Sequence, residues 1–139
     1  MKAKDMMTTN PSVVTPDMPV QEAARLMQRE DTGVLPVVES KQSLRLIGML
    51  TDRDITLRVV AEGKVSAQVS DAMSTGVQSA RPDDDAKDVM ALMAREQVRR
   101  IPIVDEQGMV VGIVSQADIV REGDDKRAEK TIEAISKPS

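Results

Sequence analysis

The chain has 139 residues, enough for one domain or for two small halves sharing a core. Hydrophobic residues make up 40% and charged residues 30%, a globular balance, and the formal charge of −4 leaves no basic surplus for gripping nucleic acid by counterion displacement. The chain has no Cys and no His, which removes disulfides, thiolate metal sites, the commonest general base and the usual switch near neutral pH. It also has no Phe, Tyr or Trp, so a flat ring bound here must lie against aliphatic side chains, methionine and backbone.

The opening residues, MKAKDMMTTN, hold no apolar stretch of signal-peptide length, and no later run approaches a membrane span; a cytoplasmic location is expected. A short strand is predicted at Ser12 to Val14, followed by Asp17 at the position of a helix N-cap. Val20, Ala23, Ala24 and Met27 then fall on one face of a helix. A hairpin of two apolar strands follows. Pro36 lies in its first strand, which must therefore be an edge or bulged strand, because proline donates no ladder bond. The second strand runs into Thr51-Asp52-Arg53-Asp54 and a short helix that closes near Gly63.

Residues 64–70 read as a linker, and then the pattern returns. A strand is predicted at Val77 to Ala80, an N-cap at Asp83, and a helix with Ala86, Val89, Met90 and Met93 on one face. The second hairpin carries Pro102 and turns at Glu106-Gln107-Gly108, where glycine supplies a positive φ. Its last strand enters Ser115-Gln116-Ala117-Asp118 and a helix closing near Gly123. The tail has Ala128, Ile132 and Ile135 at helical spacing, as in a helix docked on the body or on a partner.

The chain is thus a duplication. DMMT at Asp5 matches DAMS at Asp71, and LPVV at Leu35 matches IPIV at Ile101, both 66 positions apart; from Gly48 and Gly112 onward the shift is 64. The difference falls in the hairpin loop, where ESKQSLRL is longer than DEQGMV. Each copy reads β-α-β-β-α. The fold class is α+β, two pseudo-symmetric motifs packed sheet to sheet plus a helical tail, divided as 1–63, a linker at 64–70, 71–123 and 124–139.

The chemistry lies in the two turns. Thr51-x-x-Asp54 and Ser115-x-x-Asp118 fit a capping box, in which the hydroxyl accepts an N–H three residues on and the acid reaches back. The same geometry suits a nucleotide. A helix start favours an anion, a hydroxyl donates to a phosphate, and a carboxylate accepts from the two hydroxyls of a ribose. Gly48 and Gly112 would let a ligand approach the backbone closely. The run PDDDAKD is read as a favourably charged helix start, with no metal site.

With VLPVV and RIPIV, and GMLTDRD and GIVSQAD, in register twice, the chain resembles a tandem pair of CBS motifs, or Bateman module, of the stand-alone bacterial signal-transduction type. The resemblance covers nearly all of Asp5 to Gly123. It implies a regulatory module, not an enzyme, that binds AMP, ADP, ATP or NAD, or sometimes S-adenosylmethionine, in clefts between the motifs, as an energy sensor would. One pocket would use Ser115, Asp118 and Ile113, with Met7, Ser12, Thr32 and Gly33 at the adenine end. The other would use Thr51, Arg53, Asp54 and Met49, with Met73, Gln78, Val98, Arg99 and Arg100. Arg53 and Arg99 face Ala117 and Gly33 as their counterparts, so the Thr51 pocket should favour more phosphate charge. The resemblance also implies a flat homodimer through the methionine-bearing helix faces, and a regulated partner protein read through conformational change. No catalytic cofactor, metal, nucleic acid or membrane is implied. The rival is a ligand-free dimerisation or scaffold module, whose usual sign would be loss of Asp54 and Asp118; both are present. A catalytic reading finds no nucleophile and base paired by the sequence.

Overall fold

The computed structural model describes residues 1–122 and 134–135. In chain order its elements are α1 (Ala3–Met6), β1 (Thr8–Thr9), α2 (Val20–Glu30), β2 (Val34–Val38), β3 (Leu46–Thr51), α3 (Asp52–Ile55), a π-helical turn (Thr56–Val60), α4 (Val69–Ala72), α5 (Ala86–Glu96), β4 (Arg100–Val104), β5 (Val110–Ser115) and α6 (Gln116–Glu122). The fold is α+β, and the apolar stripes of the two long helices face their own cores. Val20, Ala23 and Met27 are buried on α2, and Ala86, Val89, Met90 and Met93 on α5.

The chain forms two compact units, and their boundaries do not follow the repeat end to end. One unit holds Pro11–Val77 with Gln107–Val110; the other holds Met1–Asn10, Gln78–Glu106 and the chain from Val111 on. The opening segment of each motif has therefore changed places, packing with the body of the other copy.

In the unit built on the first motif, β2 and β3 pair antiparallel from Val34↔Thr51 to Val38↔Leu46, with an irregularity between Val37 and Val38. The expected strand at Ser12 to Val14 shrinks to a single parallel bridge, Val14 to Val37. Val14 N–H donates to the Pro36 carbonyl at 3.0 Å, so the proline needs no N–H of its own on that side. The borrowed segment is α4 with its flanks. Val69 N–H donates to the Met18 carbonyl (2.8 Å), Val20 N–H to the Ala67 carbonyl (3.0 Å), and Ser74 pairs with Met49 on β3. The longer first hairpin loop also has a use: Leu46 N–H donates to the Gly108 carbonyl and Val110 N–H to the Leu44 carbonyl. The core is Val14, Val20, Ala23, Met27, Leu35, Val37 and Leu50 with Val59, Ala67, Val69 and Ala72.

The unit built on the second motif repeats this arrangement. Its sheet runs β1-β5-β4, with Thr8 opposite Ile113 and Thr9 opposite Gly112, and β4 is an edge strand as its proline requires. The expected strand at Val77 to Ala80 is again a single bridge, Ala80 to Ile103. Ala3 N–H donates to the Asp84 carbonyl and Ala86 N–H to the Met1 carbonyl, both at 2.8 Å. These are the same bonds as in the first unit, 66 positions along. Ile135 joins this core; Gly123, Ala128 and Ile132, also singled out in the sequence, lie outside the described residues. Gly63 has the expected positive φ, +65°, after the first short helix.

Two expectations need correction. Asp17 and Asp83 are not N-caps. Pro16-Asp17 and Pro82-Asp83 turn first, and the helices begin only at Val20 and Ala86. Asp17 instead accepts from Thr15 Oγ1 (2.8 Å), and Asp83 meets Lys4 (3.1 Å) and Lys2 (3.5 Å). The hydrogen bond and charge of Lys4, then the charge of Lys2, hold the Asp83 carboxyl below its ordinary range. The cap of α5 is Asp85, accepting from Lys87 N–H at 3.0 Å; α2 has Pro19 at its N-cap position and no side-chain cap. The second correction concerns the methionine-bearing faces assigned to a dimer contact: Met27, Met90 and Met93 are buried in their own units. The large apolar side chains left exposed among the described residues include Leu57 (48%) and Val60 (69%) on the π-helical turn.

Candidate functional site

Both hydroxyl–acid turns fold as reciprocal caps. Thr51 N–H donates to Asp54 Oδ2 (2.9 Å) and Asp54 N–H donates to Thr51 Oγ1 (3.0 Å). Ser115 N–H and Oγ donate to Asp118 Oδ2 (2.8 and 2.9 Å), and Asp118 N–H donates to Ser115 Oγ (3.3 Å). One oxygen of each acid is thereby committed to starting its own helix. The environments differ. Asp54 is half-buried, and its Oδ1 accepts no hydrogen bond among the described residues. Asp118 is only 5% exposed, the one buried polar or charged side chain among the described residues.

The close backbone approach expected at the strand glycines is made by the chain itself. A Cβ on Gly48 would stand 2.5 Å from the Ser74 carbonyl oxygen, and one on Gly112 would run into Met7 Sδ and stand 3.0 Å from the Thr8 oxygen. The glycines at 48 and 112 make room for the exchanged segments, which corrects the expectation that they make room for a ligand.

Of the residues assigned to the Thr51 pocket, the first unit gathers Met49, Thr51, Arg53, Asp54 and Met73. Gln78, Val98, Arg99 and Arg100 belong to the second unit. Arg53 and Arg99 are exposed, and the Arg99 carbonyl accepts from Gln116 N–H at 2.9 Å. Of the Ser115 pocket, the second unit gathers Met7, Ile113, Ser115 and Asp118, while Ser12, Thr32 and Gly33 belong to the first. The Thr32 hydroxyl is tied to Val34, donating to its carbonyl (3.1 Å), and Ser12 Oγ donates to Glu30 (3.0 Å). The Gly33 carbonyl accepts from Asp52 N–H at 2.9 Å, the counterpart of the Arg99 bond.

Two features escaped the sequence reading. Arg58 Nη1 donates to the carbonyls of Ala72 (2.9 Å) and Met73 (3.0 Å), tying the π-helical turn to the borrowed segment. Its position four residues after Asp54, on the same helical run, was the available signal. The other is a groove of about 340 Å³ in the first unit, lined by Ser12, Met18, Leu26, Arg29, Lys41 and Leu44 among others; it includes only Ser12 of the assigned residues. Among the described residues no cluster of three or more acids could hold a metal ion, and no helix is long and apolar enough to cross a membrane.

The CBS domain family model matches residues 3–61 and 69–125. The chain is 46% identical over 117 residues to the CBS domain-containing protein YhcV of Bacillus subtilis, covering 84% of this chain and 81% of that one. It is 30% identical over 138 residues to Hypoxic response protein 1 of Mycobacterium tuberculosis, covering 98% and 94%. The crystal structure of Hypoxic Response Protein I with two coordinated zinc ions superposes with a TM-score of 0.80 at 31% identity, over 89% of this chain and all of that one. CBSX2 of Arabidopsis thaliana in complex with AMP gives 0.75 at 26% identity, over 86% and 93%. A CBS domain pair in complex with 5′-methylthioadenosine and S-adenosyl-L-methionine gives 0.78 at 27%, over 87% and 94%. With both motifs matched and relatives aligned along nearly their whole length, the chain belongs to the CBS domain family and carries two copies of the motif in tandem.

Proposed function

We propose that the chain is a regulatory module that binds an adenosyl compound and passes the binding event to a partner protein. The observation that carries this reading is the paired acid: Asp54 and Asp118 stand at equivalent starts of short helices, each beside a hydroxyl and backbone N–H groups. In this reading each carboxylate accepts from a ribose diol, while Thr51 or Ser115 and the nearby amides hold phosphate. Relatives solved with AMP and with S-adenosyl-L-methionine support the ligand class. Arg53 biases the Thr51 turn toward more phosphate charge, and Ala117 leaves the Ser115 turn with less. The module acts without catalysis and as a homodimer, for which the exposed Leu57 and Val60 offer the apolar surface.

The rival, a ligand-free pairing module, draws support from the caps, since Asp54 and Asp118 each already serve their own helix. Two measurements separate the readings. Lacking Trp and Tyr, the pure protein is nearly blind at 280 nm, so a band near 260 nm surviving gel filtration reports bound nucleotide, identified by mass spectrometry. In calorimetry with AMP, Asp54→Ala or Asp118→Ala should weaken its own site by about 1.5–3 kcal/mol, roughly tenfold to a hundredfold in Kd. Unchanged AMP and NAD affinity in the double variant leaves only the pairing role.

A further inference from the structure

Arg58 closes a ring of contacts around the edge of the Thr51 turn. It lies on the π-helical turn, one helical turn past Asp54, and Nη1 reaches the carbonyls of Ala72 (2.9 Å) and Met73 (3.0 Å) and the Ser74 hydroxyl (3.5 Å). Carbonyls at a helix end lack intrahelical partners, and a guanidinium there is favoured by charge as well as by hydrogen bonding. The same three residues lead straight back to β3. Ser74 and Met49 exchange both backbone bonds (2.9 and 3.0 Å), and Met73 Sδ lies over Gly48, 3.4 Å from where its Cβ would be. From Met49 the strand reaches Thr51 in two residues.

We infer that Arg58 is a positioning residue for the Thr51 site, fixing Met73 and Ser74 as one wall of it; this rests on the adenosyl reading above. The sequence does not repeat this arginine at the matching position of the second copy. At the repeat shift of 64 the counterpart of Arg58 is Glu122, whose carboxylate carries no donor. A wall held before the ligand arrives costs less ordering on binding.

The test uses the full chain carrying Asp118→Ala, which leaves the Thr51 site. AMP calorimetry should show Arg58→Ala binding about tenfold more weakly, the scale of lost charged hydrogen bonds and ordering, with part of the loss restored by Arg58→Lys. Methionine-methyl NMR, with Met73 assigned through Met73→Leu, should show the Met73 resonance shifted by Arg58→Ala before any ligand is added. Arg58 is exposed, so the variant should stay folded, which the other methionine resonances report. AMP binding that needs Asp54 but is untouched by Arg58→Ala, or an unmoved Met73 resonance, overturns the role of Arg58 alone. Binding that does not need Asp54 overturns this inference together with the reading of the turn.

Discussion

A methyl group at position 48 has nowhere to go. The atom it would meet is the Ser74 carbonyl oxygen, part of a backbone pair with Met49 that cannot swing aside. At position 112 the first obstacle is the flexible Met7 side chain, although the Thr8 oxygen also stands close. Gly48→Ala should therefore cost about 1–3 kcal/mol, the usual penalty for overpacking, and Gly112→Ala less. Urea unfolding of the two variants checks the order; equal costs would mean the exchanged segment yields more easily than a paired backbone should. The hydroxyl–acid spacing was legible in the sequence because a capping box is local, three residues long and visible to the eye. The glycines were legible only as positions of close approach. What approaches them lies some 26 residues later for Gly48 and more than 100 earlier for Gly112, and no local rule supplies that partner.

The two helix caps misread at Asp17 and Asp83 belong to the scale of elements. An acid after a proline looks like an N-cap, but the proline here opens a separate turn, and the first helical N–H finds a carbonyl on the borrowed segment. The long amphipathic helices, the proline-bearing edge strands and the glycine turn at 108 all followed from periodicity and φ preference, which depend on near neighbours alone. The exchange itself depends on contacts far apart in the chain. Its consequence can be measured: deleting residues 1–10 removes β1 from its sheet, Ala3 and Met6 from the core, and the Met1 carbonyl from the start of α5. Losing two buried side chains and an edge strand should cost several kcal/mol, on the order of one large core truncation plus its hydrogen bonds. Circular dichroism melting should show the midpoint lowered well beyond what trimming a loose terminus produces.

At the scale of the whole molecule, the duplication was visible because matching words recur at a fixed shift, and it set the fold class before any contact was known. The proposed self-association was harder to place. Methionine at helical spacing is more simply core packing than contact surface, and burial put Met27, Met90 and Met93 in the core. Among the large apolar side chains that the described residues leave exposed, Leu57 and Val60 share one helical turn and point to a different patch. Leu57→Glu combined with Val60→Glu should convert a dimer to a monomer in analytical ultracentrifugation while leaving the melting midpoint of the folded chain nearly unchanged; a dimer that persists puts the contact elsewhere.

The traded opening segments carry a further implication for how such a chain could have arisen. A solitary copy of the motif would offer an uncovered strand and a helix start missing its acceptor, together with a leading peptide that finds no berth on its own body. Two separate polypeptides could satisfy each other by reciprocal embrace, and joining their genes would then have locked an existing partnership into one molecule.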